Sequence, residues 1–139
     1  MRAMSGRTIV SPMKFDLIDK VVERSEDRLV TIKCVTAAEE YLADHFPGWP
    51  VLPGVLMVEA LTQAGRELVR ERAGRLVLGR VRAMKFGRFV RPGDTMVVVV
   101  RLVGESNGEY DFRGDATVAG DSDRSAVSGR FTLRPMRTG

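Results

Sequence analysis

The chain is poor in the residues that build metal clusters and disulfide frameworks: its 139 residues include one cysteine, Cys34, and one histidine, His45. A single cysteine cannot close an internal disulfide, and no second histidine or cysteine completes a ligand set. Long apolar runs are also missing. Met96 to Val100 is typical, far below the ~20 residues a membrane-spanning helix needs. The first fourteen residues, MRAMSGRTIVSPMK, lack the apolar stretch of a secretory signal and are expected to form a poorly ordered segment. With two tyrosines and one tryptophan there is no platform of interleaved aromatics for stacking nucleic-acid bases. These absences point to a cytoplasmic, metal-free protein with no membrane and no nucleic-acid partner.

What remains is ordinary for one domain spanning residues 1–139, with 44% hydrophobic and 29% charged residues. The net charge of +4 is unevenly spread. Arg66, Arg70, Arg72, Arg75, Arg80, Arg82, Lys85, Arg88 and Arg91 crowd one stretch, against only Glu67 and Glu71. Such a patch either favours an anionic partner or reflects an arginine-rich composition.

Phe15 to Arg24 and Arg28 to Val35 read as strands joined by Ser25-Glu26-Asp27, because Val30, Ile32 and Cys34 alternate with polar neighbours. Thr36 and Glu39 have capping-box spacing, which predicts a short helix over Ala37 to Ala43. Asp44 to Gly54 holds three of the six prolines and must be a loop with a nearly fixed path. From Val55 to about Arg72, Met57, Leu61, Ala64 and Leu68 recur at helical spacing, and Gly74 offers a stop. Four strands follow: Leu76 to Phe86, Thr95 to Gly104, Glu109 to Ala119 and Arg124 to Arg134. Arg91-Pro92-Gly93-Asp94, Ser106-Asn107-Gly108 and Gly120-Asp121-Ser122-Asp123 are the turns between them. Two strands, one long helix and four strands predict an α+β fold, an antiparallel sheet wrapped around the helix.

Asp44 to Gly65, DHFPGWPVLPGVLMVEALTQAG, carries the chemistry. A lone histidine is more often structural than catalytic. His45, however, opens a rigid loop feeding a helix N-terminus, which holds a side chain where a base is needed. Glu59 lies about one turn into the helix, with Gln63 four residues on along the same face. That face can be plain solvated surface. Alternatively, Val55, Leu56 and Val58 give Glu59 apolar surroundings that keep a carboxylic acid able to donate its proton, with Gln63 orienting it. The N–H groups of Gly54 and Val55 open the helix without intrahelical partners, a seat for an oxygen that develops negative charge. Base, acid and oxyanion donors in one segment suggest proton abstraction beside a carbonyl.

The run His45-Phe46-Pro47-Gly48, Pro50, Pro53-Gly54-Val55-Leu56, Glu59-Ala60-Leu61 and Gln63-Ala64-Gly65 resembles the signature of the 3-hydroxyacyl-[acyl-carrier-protein] dehydratases of the FabZ type. Lys85-Phe86 and Val90-Arg91-Pro92-Gly93-Asp94 resemble that family's second motif, and the likeness runs from about Phe15 to Leu133. The resemblance implies a hot-dog fold, with the sheet as bun and the helix as sausage. It implies His45 as base and Glu59 as acid, supported by Gln63, Phe46 and Pro53, with Gly54 and Val55 as oxyanion donors and no cofactor. It further implies a homodimer, with a trimer of dimers as the larger alternative, in which His45 of one subunit meets Glu59 of the other. A glutamate at position 59 resembles enzymes that dehydrate without moving the double bond. The implied partner is an acidic acyl carrier protein, for which Arg70, Arg72 and Arg75 are the candidate contacts.

Three departures bear on the substrate tunnel and chain-length preference. Ser11-Pro12-Met13-Lys14-Phe15 replaces the family's His-Arg-x-Pro-Phe-Leu, Val77 to Arg82 replaces an aromatic-rich strand, and Arg66 follows Gly65. Two rival readings are a hot-dog thioesterase using Glu59 to activate water, and a non-catalytic basic module binding through Arg66 to Arg91.

Overall fold

The computed structural model describes residues 16–36 and 51–136. The short helix expected over Ala37 to Ala43, most of the proline loop with His45 and Phe46, and the first fourteen residues lie outside the described residues. Strands β1 (Lys20–Arg24) and β2 (Arg28–Cys34) precede the helix α1 (Gly54–Val69). Strands β3 (Leu76–Phe86), β4 (Thr95–Ser106), β5 (Glu109–Val118) and β6 (Asp121–Pro135) follow it. They form one sheet in the order β1-β2-β4-β5-β6-β3, with every neighbouring pair antiparallel.

Alternation decides which face turns inward. Met96, Val98 and Val100 of β4 and Tyr110, Phe112, Gly114, Ala116 and Val118 of β5 are buried, and their neighbours are not. The helix lays Met57, Ala60, Leu61, Ala64, Gly65 and Leu68 against that face. Full burial of Leu61 alone contributes about 1.5–3 kcal/mol. Close approach depends on two residues without side chains. A Cβ on Gly65 would come within 3.0 Å of the Phe131 ring, and one on Gly114 within 3.1 Å of Leu61. Phe131 in turn stacks on Phe112 at 5.1 Å between ring centroids. This is the α+β arrangement expected from the sequence, a sheet wrapped around one long helix.

Three boundaries differ from expectation by three residues or more. The helix ends at Val69 because the Val69 carbonyl accepts from both Arg72 and Ala73, closing a tighter last turn before Gly74. The first strand begins at Lys20, and Asp19 instead uses its carboxylate to accept the Cys34 N–H at 2.7 Å. The last strand begins at Asp121, not Arg124. Val118 pairs with Asp121, leaving a two-residue hairpin loop in which Gly120 takes a φ of 90°. The Asn107-Gly108 turn is as expected, with both residues at positive φ between Ser106 and Glu109.

Candidate active site

The start of α1 is fixed from two sides. Val51 and Leu52 are buried, and the Leu52 N–H donates to the Val90 carbonyl at 2.8 Å, tying the incoming loop to the second motif. Pro53 is the N-cap, and its carbonyl accepts the N–H groups of Leu56 at 3.0 Å and Met57 at 3.2 Å. The N–H groups of Gly54 and Val55 find no acceptor among the described residues. They open onto an apolar cleft of about 380 Å³ lined by Pro53, Gly54, Val55, Met57, Phe86 and Phe89. Gly54 sits against the Phe86 ring, which a Cβ would meet at 3.0 Å. The structure therefore brings together the expected helix start and the second motif. Phe86 and Phe89, both half exposed, are cleft walls; the sequence marked Phe86 only as part of the second motif and did not single out Phe89.

The second motif is clamped by Arg88, which periodicity gives no means of finding. Its Nε donates to Asp121 Oδ2 at 2.6 Å and its Nη1 to the Phe89 carbonyl at 2.9 Å. Asp94 lies 3.4 Å from the same guanidinium and accepts the Arg91 N–H at 2.9 Å. Hydrogen bonding to Asp121, then to Asp94, raises the Arg88 pKa against the opposing effect of burial. Gly93, at φ 96°, donates to the Val35 carbonyl at 2.8 Å, joining the turn to the end of β2.

Glu59 follows Gly54 by five residues, about 7.5 Å along the helix axis. Its Oε2 accepts from Gln63 Nε2 at 3.1 Å, and Gln63 Oε1 accepts the N–H of buried Leu17 at 2.8 Å. Among the described residues the expected apolar enclosure is incomplete. Val55 is 73% exposed, the Glu59 side chain is 39% exposed, and Arg66 approaches its Oε2 to 3.9 Å. The reason is helical geometry, since Glu59 shares its face with Gln63 and Arg66 rather than with the core stripe. Gln63 and Glu59 are hydrogen-bonded, and the Leu17 contact is a further anchor that no sequence spacing indicates.

Arg70, Arg72 and Arg75 lie past the opposite end of the helix. Arg70 pairs with Glu67 at 3.1 Å and approaches Glu71 at 4.0 Å, while Arg72 donates to the Glu26 carbonyl.

Known proteins match this arrangement. The family model described as ApeI-like, ApeI dehydratase, matches residues 21–130. The 3-hydroxyacyl-[acyl-carrier-protein] dehydratase FabZ of Thermotoga petrophila is 39% identical over 120 residues, covering 86% of this chain and 85% of that protein. The FabZ of Chloroflexus aggregans is 43% identical over 110 residues, covering 76% of each. Among solved structures, the dehydratase heterocomplex ApeI:P from Xenorhabdus doucetiae superposes with a TM-score of 0.71 at 18% identity, covering 88% of this chain and 84% of that one, which shows a shared hot-dog fold. The chain belongs to the hot-dog dehydratase family, among the 3-hydroxyacyl-[acyl-carrier-protein] dehydratases of the FabZ type.

Proposed function

We propose that this hydro-lyase converts (3R)-3-hydroxyacyl-[acyl-carrier-protein] to the trans-2-enoyl thioester in fatty-acid biosynthesis, with His45 as base and Glu59 as acid. The thioester carbonyl hydrogen-bonds the N–H groups of Gly54 and Val55, where the helix dipole favours an enolate-like oxygen. His45 takes the C2 proton, and Glu59 gives its proton to the C3 hydroxyl, which leaves as water while the C2–C3 double bond forms. Gln63 aims Glu59, the Pro53 carbonyl holds the first helical turn, and Phe46, next to His45 in the sequence, is a further supporting residue. Dehydration involves neither redox change nor group transfer, so the reaction needs no cofactor.

The observation that carries this reading is the placement, on one helix, of Gly54 and Val55 N–H groups with no acceptor among the described residues and, about 7.5 Å along the axis from Gly54, a Glu59 held by Gln63. The incomplete enclosure of Glu59 supports a homodimer in which the second subunit brings His45 over it, with a trimer of dimers as the larger assembly. The carrier protein is the partner, Arg70, Arg72 and Arg75 are candidate contacts, and the cytoplasm is the compartment. No helix among the described residues is long and apolar enough to cross a membrane.

Mass spectrometry of products from 3-hydroxyacyl carrier-protein thioesters of graded length tests the reading. A product lighter by one water, with the thioester intact, is expected. Release of a free thiol would mean hydrolysis and a thioesterase instead.

A further inference from the structure

A lysine stands on the core face of β2. Leu29, Thr31 and Lys33 alternate onto the face that continues across β4 as Val100, Val98 and Met96, all three of them fully buried. The Lys33 side chain is only 10% exposed, and its Nζ lies 3.5 Å from Asp19 Oδ1. Lysine is almost never buried unless paired, and replacing a buried ion pair by apolar residues is often neutral or stabilising. Packing alone therefore does not call for a lysine at this place.

Asp19 is fastened to β2 by three groups. Its N–H donates to the Ile32 carbonyl at 2.8 Å, its Oδ2 accepts the Cys34 N–H at 2.7 Å, and its Oδ1 faces Lys33. Leu17 stands two residues away, at most ~7 Å along the chain, and is fully buried. Its N–H reaches Gln63 Oε1 at 2.8 Å, and Gln63 Nε2 donates to Glu59 Oε2 at 3.1 Å. A continuous set of contacts thus runs from Lys33 through Asp19, Leu17 and Gln63 to Glu59. Hydrogen bonds weaken steeply as they bend, so a shift of the Leu17 N–H turns the Gln63 amide and, with it, the donor on Glu59.

We propose that Lys33 and Asp19 are positioning residues for the dehydration: the pair pins the segment that carries the Leu17 N–H, which holds Gln63 and so Glu59. Both act through Gln63 and not on the substrate. This rests on the dehydratase reading with Glu59 as the acid.

The test compares full-length wild type with Lys33→Met and Asp19→Ala on a 3-hydroxyacyl carrier-protein thioester. Each variant should lower kcat about ten-fold or more with KM nearly unchanged, because substrate contacts remain and only the acid is misaligned. In a Gln63→Leu background, Lys33→Met should lower kcat less than about two-fold, since residues that act through one partner do not add. Native-state hydrogen exchange by NMR gives a readout that needs no turnover. The Leu17 N–H should exchange about ten-fold faster or more in both variants, with the Leu61 and Val98 amides unchanged. A full multiplicative loss in the Gln63→Leu background, or equal acceleration of all three amides, would make the pair structural only and overturn the assignment. So would an unchanged kcat in both single variants. Asp19→Ala decides if Lys33→Met does not fold. Failure of wild type to dehydrate would refute the dehydratase reading itself, and the Leu17 exchange rate would still decide whether the pair holds this segment.

Discussion

Gln63 holds Glu59 from one end of its amide while its other end is held by the backbone. Nε2 donates to Glu59 at 3.1 Å, and Oε1 accepts the Leu17 N–H at 2.8 Å. The Leu17 bond sets which way the amide faces, because only an oxygen can accept from a peptide N–H, and that leaves the NH₂ group toward the carboxylate.

Two substitutions separate anchoring from orientation. Gln63→Leu leaves the buried Leu17 N–H without its acceptor, which should cost about 1–3 kcal/mol of stability as well as activity. Gln63→Glu keeps that acceptor but sets a carboxyl group beside Glu59. It should fold normally, yet move the pH profile of kcat/KM and lower its maximum. Unchanged pH profiles in Gln63→Glu would show that Glu59 is oriented by something else.

Gly54 meets the Phe86 ring edge, so its lack of a side chain governs access to the N–H groups of Gly54 and Val55. Gly54→Ala should push the half-exposed ring aside rather than unfold the protein. Misplacing the carbonyl in this way should lower kcat/KM about ten-fold or more. In a Phe86→Leu background the same substitution should be milder. Additive losses in the double variant would separate Gly54 from Phe86 and remove this explanation.

Gly87 makes a different demand. A Cβ there would lie 2.5 Å from the Ser125 carbonyl oxygen, a backbone atom that cannot swing away. Gly87→Ala should therefore cost about 1–3 kcal/mol. At Gly74, where a Cβ meets nothing within 4 Å, Ala should change stability by less than about 0.5 kcal/mol. Urea midpoints with unchanged m-values measure both. Equal stability of the two variants would mean that the β6 backbone yields more readily than its pairing suggests.

Much of this site is written in short sequence intervals. Glu59 and Gln63 are four apart on one helix, Gly54 follows the last proline of its loop, and Asn107-Gly108 specifies its own turn. What could not be read depends on pairings that only the folded sheet creates. Leu17 reaches Gln63 across 46 positions, and Arg88 reaches Asp121 across 33. The helix-end arginines were prominent in sequence because all three fall within six residues, yet Arg70 and Arg72 are occupied by groups of their own subunit.

Asp121 ties stability to pH. Hydrogen bonds from Arg124 and then Arg88 hold its carboxyl below the usual carboxylate range, against the opposing effect of burial. A carboxyl depressed in the folded state contributes stability fully above its unfolded value, about 3.9. That contribution is lost as pH falls through the lower folded value. Asp121→Asn should thus be less stable than wild type at pH 6 to 7, with the gap closing as pH drops below about 4. A gap that stays constant down to acid pH would locate the effect in packing rather than ionisation.

The shared site is tested by pairing two inactive chains. His45→Ala and Glu59→Gln should each lose at least roughly 10²-fold in dehydration while remaining folded by circular dichroism. If each site takes His45 from one subunit and Glu59 from the other, a mixed dimer of the two variants has one site with both defects and one with neither. The intact site pairs His45 of the Glu59→Gln chain with Glu59 of the His45→Ala chain. Random reassortment makes about half of the dimers mixed, so activity should return to about a quarter of wild type. Were both groups drawn from the same subunit, every site would keep one defect and nothing would return. Native mass spectrometry of differently tagged chains establishes that exchange has occurred. Verified heterodimers without activity would end the shared-site reading, while dehydration by wild type would still stand on its own measurement.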